Sequence, residues 1–211
     1  MVICCYTEIN EKWTESELYD KLKLLPEPLQ IEAMRKQLWI DRQLSVTGKL
    51  LIKELLVGLG VEHLSLKDIR YSGYRRPSFD SPIDFNIAHS ENYVICCGTD
   101  KGRVGVDIEQ IKPIELDDYL DYFTSDEWQI IRENGDPFDR FYEFWTRKEA
   151  VVKAIGTGLQ APLSSIDVSS DKVVDHHITY HIKKLSIAKG YQCHLASTEP
   201  VDFVKLQPVL F

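Results

Sequence analysis

Three short apolar runs in the middle of the chain constrain its fold most strongly. They cover residues 84–89, 92–97 and 103–109, with only short polar segments between them. Runs of this length, bounded by turn-forming residues, are typical of β-strands. The pattern therefore predicts three consecutive strands near the centre of the chain.

Helical patterns lie on both sides of these strands. Capping boxes of the form Thr-x-x-Glu occur at Thr14 and Thr124, and each predicts the start of a helix. The predicted helical segments are 14–25, 29–59, a segment that begins at 124, and 137–155. Gly58 and Gly60 end the second segment, and Gly156 and Gly158 end the last one.

Further alternating runs at 173–184, 191–196 and 201–206 predict strands after the last helix. The order αβ followed by αβ predicts an α+β fold. We expect an N-terminal lobe of residues 1–98 and a C-terminal lobe of residues 99–211.

Composition excludes several classes of protein. The net charge of −8 argues against a general nucleic-acid binder, which needs a basic face. No apolar run approaches the roughly 20 residues of a membrane-spanning helix. The first residues lack the basic start and the long apolar stretch of a signal peptide. We expect a cytoplasmic protein that binds neither nucleic acid nor membranes.

The five cysteines are odd in number and include no C-x-x-C pair. Adjacent residues such as Cys4 and Cys5 on a strand point to opposite faces. The sequence therefore predicts neither a disulfide framework nor a zinc site. Buried apolar cysteines in a reducing compartment are expected instead.

Asp107 and Glu109 form a D-x-E pair on the third predicted strand. Residues two apart on a strand share one face, about 7 Å apart. A hard divalent ion such as magnesium would relieve their repulsion. Taken alone, the pair is better explained as a solvated polar strand end.

The segment from Trp145 to Lys153 lies on a predicted helix. Trp145, Glu149 and Lys153 share one helical face, and Lys148 lies about 100° round the helix. Glu149 can supply a third carboxylate. Taken alone, Glu149 and Lys153 fit an ordinary surface ion pair.

Together, the two segments resemble the paired signature of the 4'-phosphopantetheinyl transferases. The first block is Val104-Gly105-Val106-Asp107, and the second runs from Trp145 to Lys153. The segment from Phe85 to Ser90 is similar to the family's Phe-Asn-x-Ser-His-Ser, with Ala88 in place of a serine. Length and pattern resemble the larger surfactin-type (Sfp-like) subfamily. That likeness implies a monomer of two similar, pseudo-twofold αβ lobes with the active site in the cleft between them.

The resemblance also implies the ligands and the reaction. Asp107, Glu109 and Glu149 would hold Mg²⁺ on the pyrophosphate of coenzyme A. Lys148 and Lys153 would stabilise charge on the phosphate that is transferred or departs, and Lys153 would also contact coenzyme A.

The nucleotide end of coenzyme A would be bound by residues of the N-terminal half. His89 and Arg42 would contact the 3'-phosphate, Asn86 belongs to the same matched segment as His89, and Arg75 and Arg76 occupy the place of a Gly-Lys turn. Arg75 departs from the family pattern there, because a side chain stands where backbone usually approaches the ligand.

The implied reaction is attack of a carrier-protein serine on the β-phosphate of coenzyme A, with release of 3',5'-ADP. Glu127 would be the general base, unless a metal-bound water takes that role. The implied partner is an apo acyl- or peptidyl-carrier protein, docked on residues 110–135.

Two other functions remain open. A metal-dependent phosphohydrolase would use the D-x-E pair and a distant glutamate on coenzyme A without a protein acceptor. A non-catalytic coenzyme A-binding protein would bind without transfer. His177 and His181, on one strand face about 13 Å apart, are too distant to share a metal ion.

Overall fold

The computed structural model describes residues 1–71, 76–133, 135–156, 158 and 163–211. These ranges contain five α-helices and ten β-strands. The helices are α1 (Glu15–Leu22), α2 (Glu27–Met34), α3 (Trp39–Gly58), α4 (Ser125–Glu133) and α5 (Pro137–Ile155). The strands are β1 (Val2–Glu8), β2 (Arg70–Tyr71), β3 (Pro77–Ser78), β4 (Asp84–Ser90), β5 (Tyr93–Thr99), β6 (Val104–Gln110), β7 (Lys172–Asp175), β8 (Ile178–Lys184), β9 (Tyr191–Ser197) and β10 (Val204–Pro208).

Two four-stranded sheets form the framework. The first has the order β10-β1-β5-β4 and the second β6-β9-β8-β7. Neighbouring strands are antiparallel, except that β10 runs parallel to β1. The last strand, which the sequence analysis assigns to the C-terminal lobe, thus completes the sheet of the N-terminal half. The division at residues 98 and 99 stays a prediction.

A long helix packs against each sheet, and together they confirm the α+β class. Helix α3 packs on β1 and β5, and α5 packs on β6 and β9. A third apolar layer lies between the two sheets. It joins residues of the first sheet to Val104, Val106, Ile108 and Leu195 of the second. Strand β6 is therefore buried against the first sheet on one face and against α5 on the other.

The prediction of one helix over residues 29–59 is wrong, because α2 and α3 are two separate helices in this segment. Leu38 precedes α3 with an extended backbone, φ −80° and ψ 141°. A break of this kind leaves carbonyl groups without helical partners. The side chain of Arg42 satisfies two of them: its Nε donates to the carbonyl of Lys36 at 2.6 Å, and its Nη2 donates to that of Gln37 at 3.4 Å.

The predicted helix termini are confirmed at three places. Thr14 and Glu17 form a reciprocal capping box. The backbone N–H of Thr124 donates to Oε2 of Glu127, while that of Glu127 donates to Oγ1 of Thr124. Gly156 ends α5 with φ +81°, a conformation that glycine adopts without a steric cost.

The predicted strand over 173–184 is a hairpin. Its turn is formed by His176 at φ +43° and His177 at φ +70°, between β7 and β8. His177 therefore lies in a turn and does not share a strand face with His181.

The expectation of five unbonded cysteines is wrong at one pair. Cys4 and Cys97 form a disulfide with their Cα atoms 4.1 Å apart. They lie directly opposite each other on β1 and β5. Because 93 residues separate them in the chain, only the strand register brings them together. Cys5, Cys96 and Cys193 are buried free thiols.

Candidate functional site

The D-x-E pair lies on the face of β6 that is turned toward α5. Val104, Val106 and Ile108 pack into the layer between the sheets on the opposite face. Strand alternation therefore places Asp107 and Glu109 together on the α5 side. This confirms the face that the sequence predicts for the two carboxylates.

Gly105 allows β6 and α5 to approach closely. A Cβ atom at this position would lie 2.1 Å from the carbonyl oxygen of Ala150 and 2.4 Å from the backbone nitrogen of Ala154. Any side chain would force the strand away from the helix. The glycine of the first signature block therefore sets the distance between the two carboxylates and α5.

Helix α5 contributes Glu149 and Lys153 to the same place. Nζ of Lys153 donates to Oδ1 of Asp107 at 2.5 Å. The second carboxylate oxygen of Asp107, Oδ2, is buried and has no hydrogen-bond partner. One oxygen of this carboxylate is thus engaged by a cation, and the other remains available.

The site concentrates negative charge. Burial and the neighbouring Asp107 raise the pKa of Glu109 to about 7. The same two causes raise the pKa of Glu149, and burial raises that of Asp107 against the opposing charge of Lys153. Burial lowers the pKa of Lys153, but the surrounding carboxylates outweigh it, so that this pKa is raised.

The chemistry of this donor set fits a hard divalent cation. Asp107, Glu109 and Glu149 offer carboxylate oxygens, among them the unpartnered Oδ2 of Asp107, and such oxygens are the ligands that Mg²⁺ prefers. Across the ranges that the structure describes, no group of three or more His, Cys, Asp or Glu side chains is assembled closely enough to hold an ion. The ammonium of Lys153 neutralises part of the charge instead.

Side chains of β4 hold β6 in place. Asp84 accepts a hydrogen bond from the backbone N–H of residue 104 at 2.8 Å, and Asn86 accepts one from that of residue 106 at 3.0 Å. Ser90 accepts from the N–H of residue 110 and donates to Oε2 of Glu109 at 2.8 Å. The offset is twenty residues each time, and Ala88 is the one position of this row without a polar side chain.

These contacts show two roles that sequence reasoning missed. Ser90 orients one of the predicted metal ligands, and Asp84 fixes the start of β6. Asn86, predicted to contact coenzyme A, uses its side-chain oxygen on the backbone of β6. Only the alternation of polar residues 84, 86 and 90 on one strand face signals this row.

His89 is exposed at the end of β4, beside the carboxylate site. Desolvation lowers its pKa, and so does the positive charge of Lys153, while Asp41 and Asp107 oppose the shift. The imidazole therefore lies within electrostatic reach of both β6 and the start of α3.

The predicted arginine contacts lie in different places. Arg76 is almost buried, and its guanidinium bonds Asp84 at 2.5 Å, the carbonyl of Lys153 at 2.6 Å and that of residue 104 at 3.0 Å. It ties β4, β6 and α5 together. Arg42 is half-buried and caps the break before α3. Arg75 lies outside the described residues.

Glu127 and Lys148 do not join the carboxylate site. They form an ion pair of 2.8 Å in which neither side chain is exposed. Oε1 of Glu127 also accepts from the backbone N–H of Val168 at 2.9 Å. Nζ of Lys148 donates to the carbonyls of Leu163 and Ile166. The two predicted catalytic residues thus bind α4 and α5 to the segment that precedes β7.

An aromatic cluster joins the segment before α4 to the first half of α5. Tyr119 and Tyr122 each meet the ring of Trp145 edge-on, with centroids 5.5 Å and 5.7 Å apart. They belong to the 3-10 helical segment Leu116–Tyr122, whose Leu120 and Tyr122 side chains are more than 40% exposed. The segment therefore exposes apolar side chains at the surface, while its two tyrosine rings pack against Trp145 of α5.

Comparison with known proteins places these residues in a family. The model of the 4'-phosphopantetheinyl transferase superfamily matches residues 103–202. The chain is 33% identical over 153 residues to "4'-phosphopantetheinyl transferase Sfp" of Bacillus subtilis (strain 168), which covers 66% of this chain and 67% of that protein. The chain belongs to the 4'-phosphopantetheinyl transferase family. A second member, "4'-phosphopantetheinyl transferase gsp" of Aneurinibacillus migulanus, is 30% identical over 74% of this chain and 69% of its own length.

The family match covers the part of the chain that carries both signature blocks. Its 103–202 range includes β6, α5 and β9, and therefore Asp107, Glu109, Glu149 and Lys153. The relative "4'-phosphopantetheinyl transferase psf-1" of Bacillus pumilus is 28% identical over 80% of this chain and 76% of its own. None of the helices in the described ranges is long and apolar enough to cross a bilayer.

Proposed function

We propose that the protein transfers the 4'-phosphopantetheine group of coenzyme A to a serine hydroxyl of an apo acyl- or peptidyl-carrier protein and releases 3',5'-ADP. One observation carries the proposal: in a member of this family, Asp107 and Glu109 of β6 share a site with Lys153 of α5. Attack on a pyrophosphate needs a site that balances dense negative charge with positioned cations.

Magnesium is the proposed cofactor, with Asp107, Glu109 and Glu149 as the residues that would hold it. Bound Mg²⁺ would neutralise the pyrophosphate and polarise its phosphorus. The raised pKa values of the three carboxyl groups support a cation site, since a divalent ion would stabilise all three in the ionised form.

The chain's own cations have distinct proposed roles. Lys153, 28% exposed, would stabilise charge on the phosphate during transfer. His89 and Arg42 would contact the 3'-phosphate of coenzyme A. Arg75 stays a proposed contact for the same nucleotide. Arg76 and Asn86 would act mainly on the shape of the cleft, since their polar groups bond β4 and β6 to each other and to α5.

The general base is a separate question, because Glu127 is buried against Lys148. Its role as the base, and that of Lys148 on the transferred phosphate, stay predictions. Serine is a weak nucleophile at neutral pH, and a base must take its proton. The ion pair gives these two residues a structural role as well, and variants can separate the two roles.

The proposed docking surface is residues 110–135 as far as they are described. The exposed side chains of Leu120 and Tyr122 offer apolar contacts, and the ring of Tyr122 packs edge-on against Trp145. With a net charge of −8, the protein would dock an acidic carrier by such contacts and not by bulk attraction. We further propose a cytoplasmic monomer that binds no nucleic acid or membrane.

The reaction can be distinguished from its alternatives by product analysis. The protein, coenzyme A and Mg²⁺ are incubated with and without an apo carrier protein, and 3',5'-ADP is quantified. Transferase activity requires the carrier. Cleavage of coenzyme A without a carrier would indicate a phosphohydrolase, and binding without any product would indicate a non-catalytic protein.

A further inference from the structure

The face of β9 that is turned toward α5 carries two buried polar residues with no role assigned so far. Gln192 and His194 are 2% and 1% exposed. In the sheet register, His194 lies directly opposite Asp107 and Gln192 directly opposite Glu109. Directly opposed residues of antiparallel strands share one face, with Cβ atoms about 4.5–5.5 Å apart. Each carboxylate of β6 therefore has a polar neighbour on β9.

Both β9 side chains are anchored on α5. Nε2 of Gln192 donates to Oδ1 of Asp139 at 2.7 Å. Nδ1 of His194 lies 2.8 Å from Oγ1 of Thr146. Asp139 is in the first turn of the helix, and Thr146 lies three residues before Glu149. The two hydrogen bonds thus fix the part of α5 that precedes Glu149, its predicted metal ligand, relative to the second sheet.

The unpartnered polar atoms of the described chain concentrate on the same face. Four buried side-chain atoms have no hydrogen-bond partner in the described ranges. Three of them are Oδ2 of Asp107, Oε1 of Gln192 and Nε2 of His194. Burying such an atom without a partner destabilises the folded state. An apolar pair on β9 would avoid two of these costs, which argues for a use of the polar pair beyond packing.

We propose that Gln192 and His194 are positioning residues, which hold Asp107 and Glu109 of β6 at a fixed distance from Glu149 of α5 for magnesium binding. The proposal rests on the proposed function, because it assumes that these three carboxylates take the ion. The two residues act through their hydrogen bonds to α5 and as polar side chains directly opposite the two carboxylates in the sheet. Neither touches substrate.

The test is magnesium affinity, measured by titration calorimetry on protein saturated with coenzyme A. In Gln192→Met and His194→Leu, the Kd for Mg²⁺ should rise about tenfold or more, as is typical when groups behind metal ligands are lost. Coenzyme A affinity without Mg²⁺ should stay within about twofold of wild type. His194→Asn keeps a partner for Thr146 and should restore most of the magnesium affinity.

A matched control separates positioning from general damage to β9. Cys193 lies between the two residues on the opposite strand face, in the layer between the sheets. Cys193→Ala should lower the melting temperature and leave the Kd for Mg²⁺ unchanged. Thr146→Val removes the hydrogen bond to His194 by a change in α5, with β9 left intact. This variant should also raise the Kd for Mg²⁺, and it keeps the test available if the β9 variants do not fold.

Unchanged magnesium affinity in folded Gln192→Met, His194→Leu and Thr146→Val would overturn the proposal. A rise no larger than that of Cys193→Ala would also overturn it. Wild-type protein that binds coenzyme A without any magnesium effect would instead overturn the metal assignment under the proposed function, and this inference with it.

Discussion

Nζ of Lys148 lies 2.8 Å from Oε2 of Glu127, and neither side chain has any exposed surface. Both oxygens of Glu127 are engaged, Oε1 by the backbone N–H of Val168 and Oε2 also by that of Thr124. Lys148 is adjacent in sequence to Glu149, but it points to the other side of α5. A residue that sequence similarity places in the reaction thus occupies the interior of the C-terminal half.

Replacing one member of this pair should destabilise the protein strongly. Glu127→Gln or Lys148→Met leaves the partner as a buried charge without its counter-ion, which costs about 3–5 kcal/mol. The free energy of unfolding, measured by denaturant titration, should fall by that amount in each single variant.

The double variant Glu127→Leu, Lys148→Met decides between the structural and the catalytic role. It removes both charges together and should be more stable than either single variant, while the backbone groups that the pair bonded lose their partners. Transfer activity per folded molecule within about tenfold of wild type, or about 1.4 kcal/mol of barrier, would assign the pair a structural role alone. A stable double variant without detectable turnover would show that the pair acts in the chemistry.

Gly105→Ala should separate β6 from α5. Its Cβ would meet backbone atoms of Ala150 and Ala154 at 2.1 and 2.4 Å, so the strand must shift. We expect a loss of about 1–3 kcal/mol of stability from overpacking. Because displacing catalytic groups by about 1 Å can cost 100-fold in rate, kcat should fall by about that factor.

Gly48→Ala is the matched control for this substitution. Gly48 lies within α3, and its nearest neighbour would be an ordinary contact at 3.5 Å to Ile87. Alanine favours the helix by up to about 1 kcal/mol over glycine. Stability should rise slightly with kcat unchanged. If both alanine variants behaved alike, the account of Gly105 as a spacing residue would fail.

The stability of metal-free protein should fall as the pH rises from about 4.5 to about 7. Burial and Asp107 raise the pKa of Glu109 from 4.5 to about 7. The folded state therefore keeps a proton that the unfolded chain has already lost. This contribution is fully present below pH 4.5 and is lost as the pH passes 7.

Denaturant titrations in EDTA at pH 5, 6, 7 and 8 measure this slope. Glu109→Gln should flatten it, because the side chain no longer titrates. Glu91→Gln, which changes an exposed carboxylate paired with Lys112, serves as the control and should keep the slope. A slope of the same size in Glu109→Gln would assign the effect to other groups.

The sequence was sufficient to predict the arrangement of the core of the site. Strand alternation places Asp107 with Glu109, because the period of a strand is two. Helical periodicity places Glu149 with Lys153. Both capping boxes were predictable as well, since the capping hydrogen bonds of Thr14 and Thr124 join each of them to a residue three positions away.

Contacts between distant segments could not be predicted in this way. The disulfide of Cys4 and Cys97 depends on the register of β1 and β5. The hydrogen bonds from the polar side chains of β4 to β6 depend on how the two sheets pack. Local pattern also cannot show that Lys148 points into the interior while Glu149 faces the site. The sequence predicts that Arg76 contacts a phosphate of coenzyme A. In the structure its guanidinium donates to Asp84 and to two backbone carbonyls.

The central claim is tested most directly by the intact mass of an apo carrier protein after incubation with this protein, coenzyme A and Mg²⁺. We predict the mass gain of one phosphopantetheine group. The gain should be abolished by EDTA, and Glu149→Gln, which removes one proposed magnesium ligand, should lower its rate at least about 100-fold. No mass gain on carriers from both fatty-acid and peptide synthesis would contradict the proposed function, and full activity of Glu149→Gln would contradict the metal site.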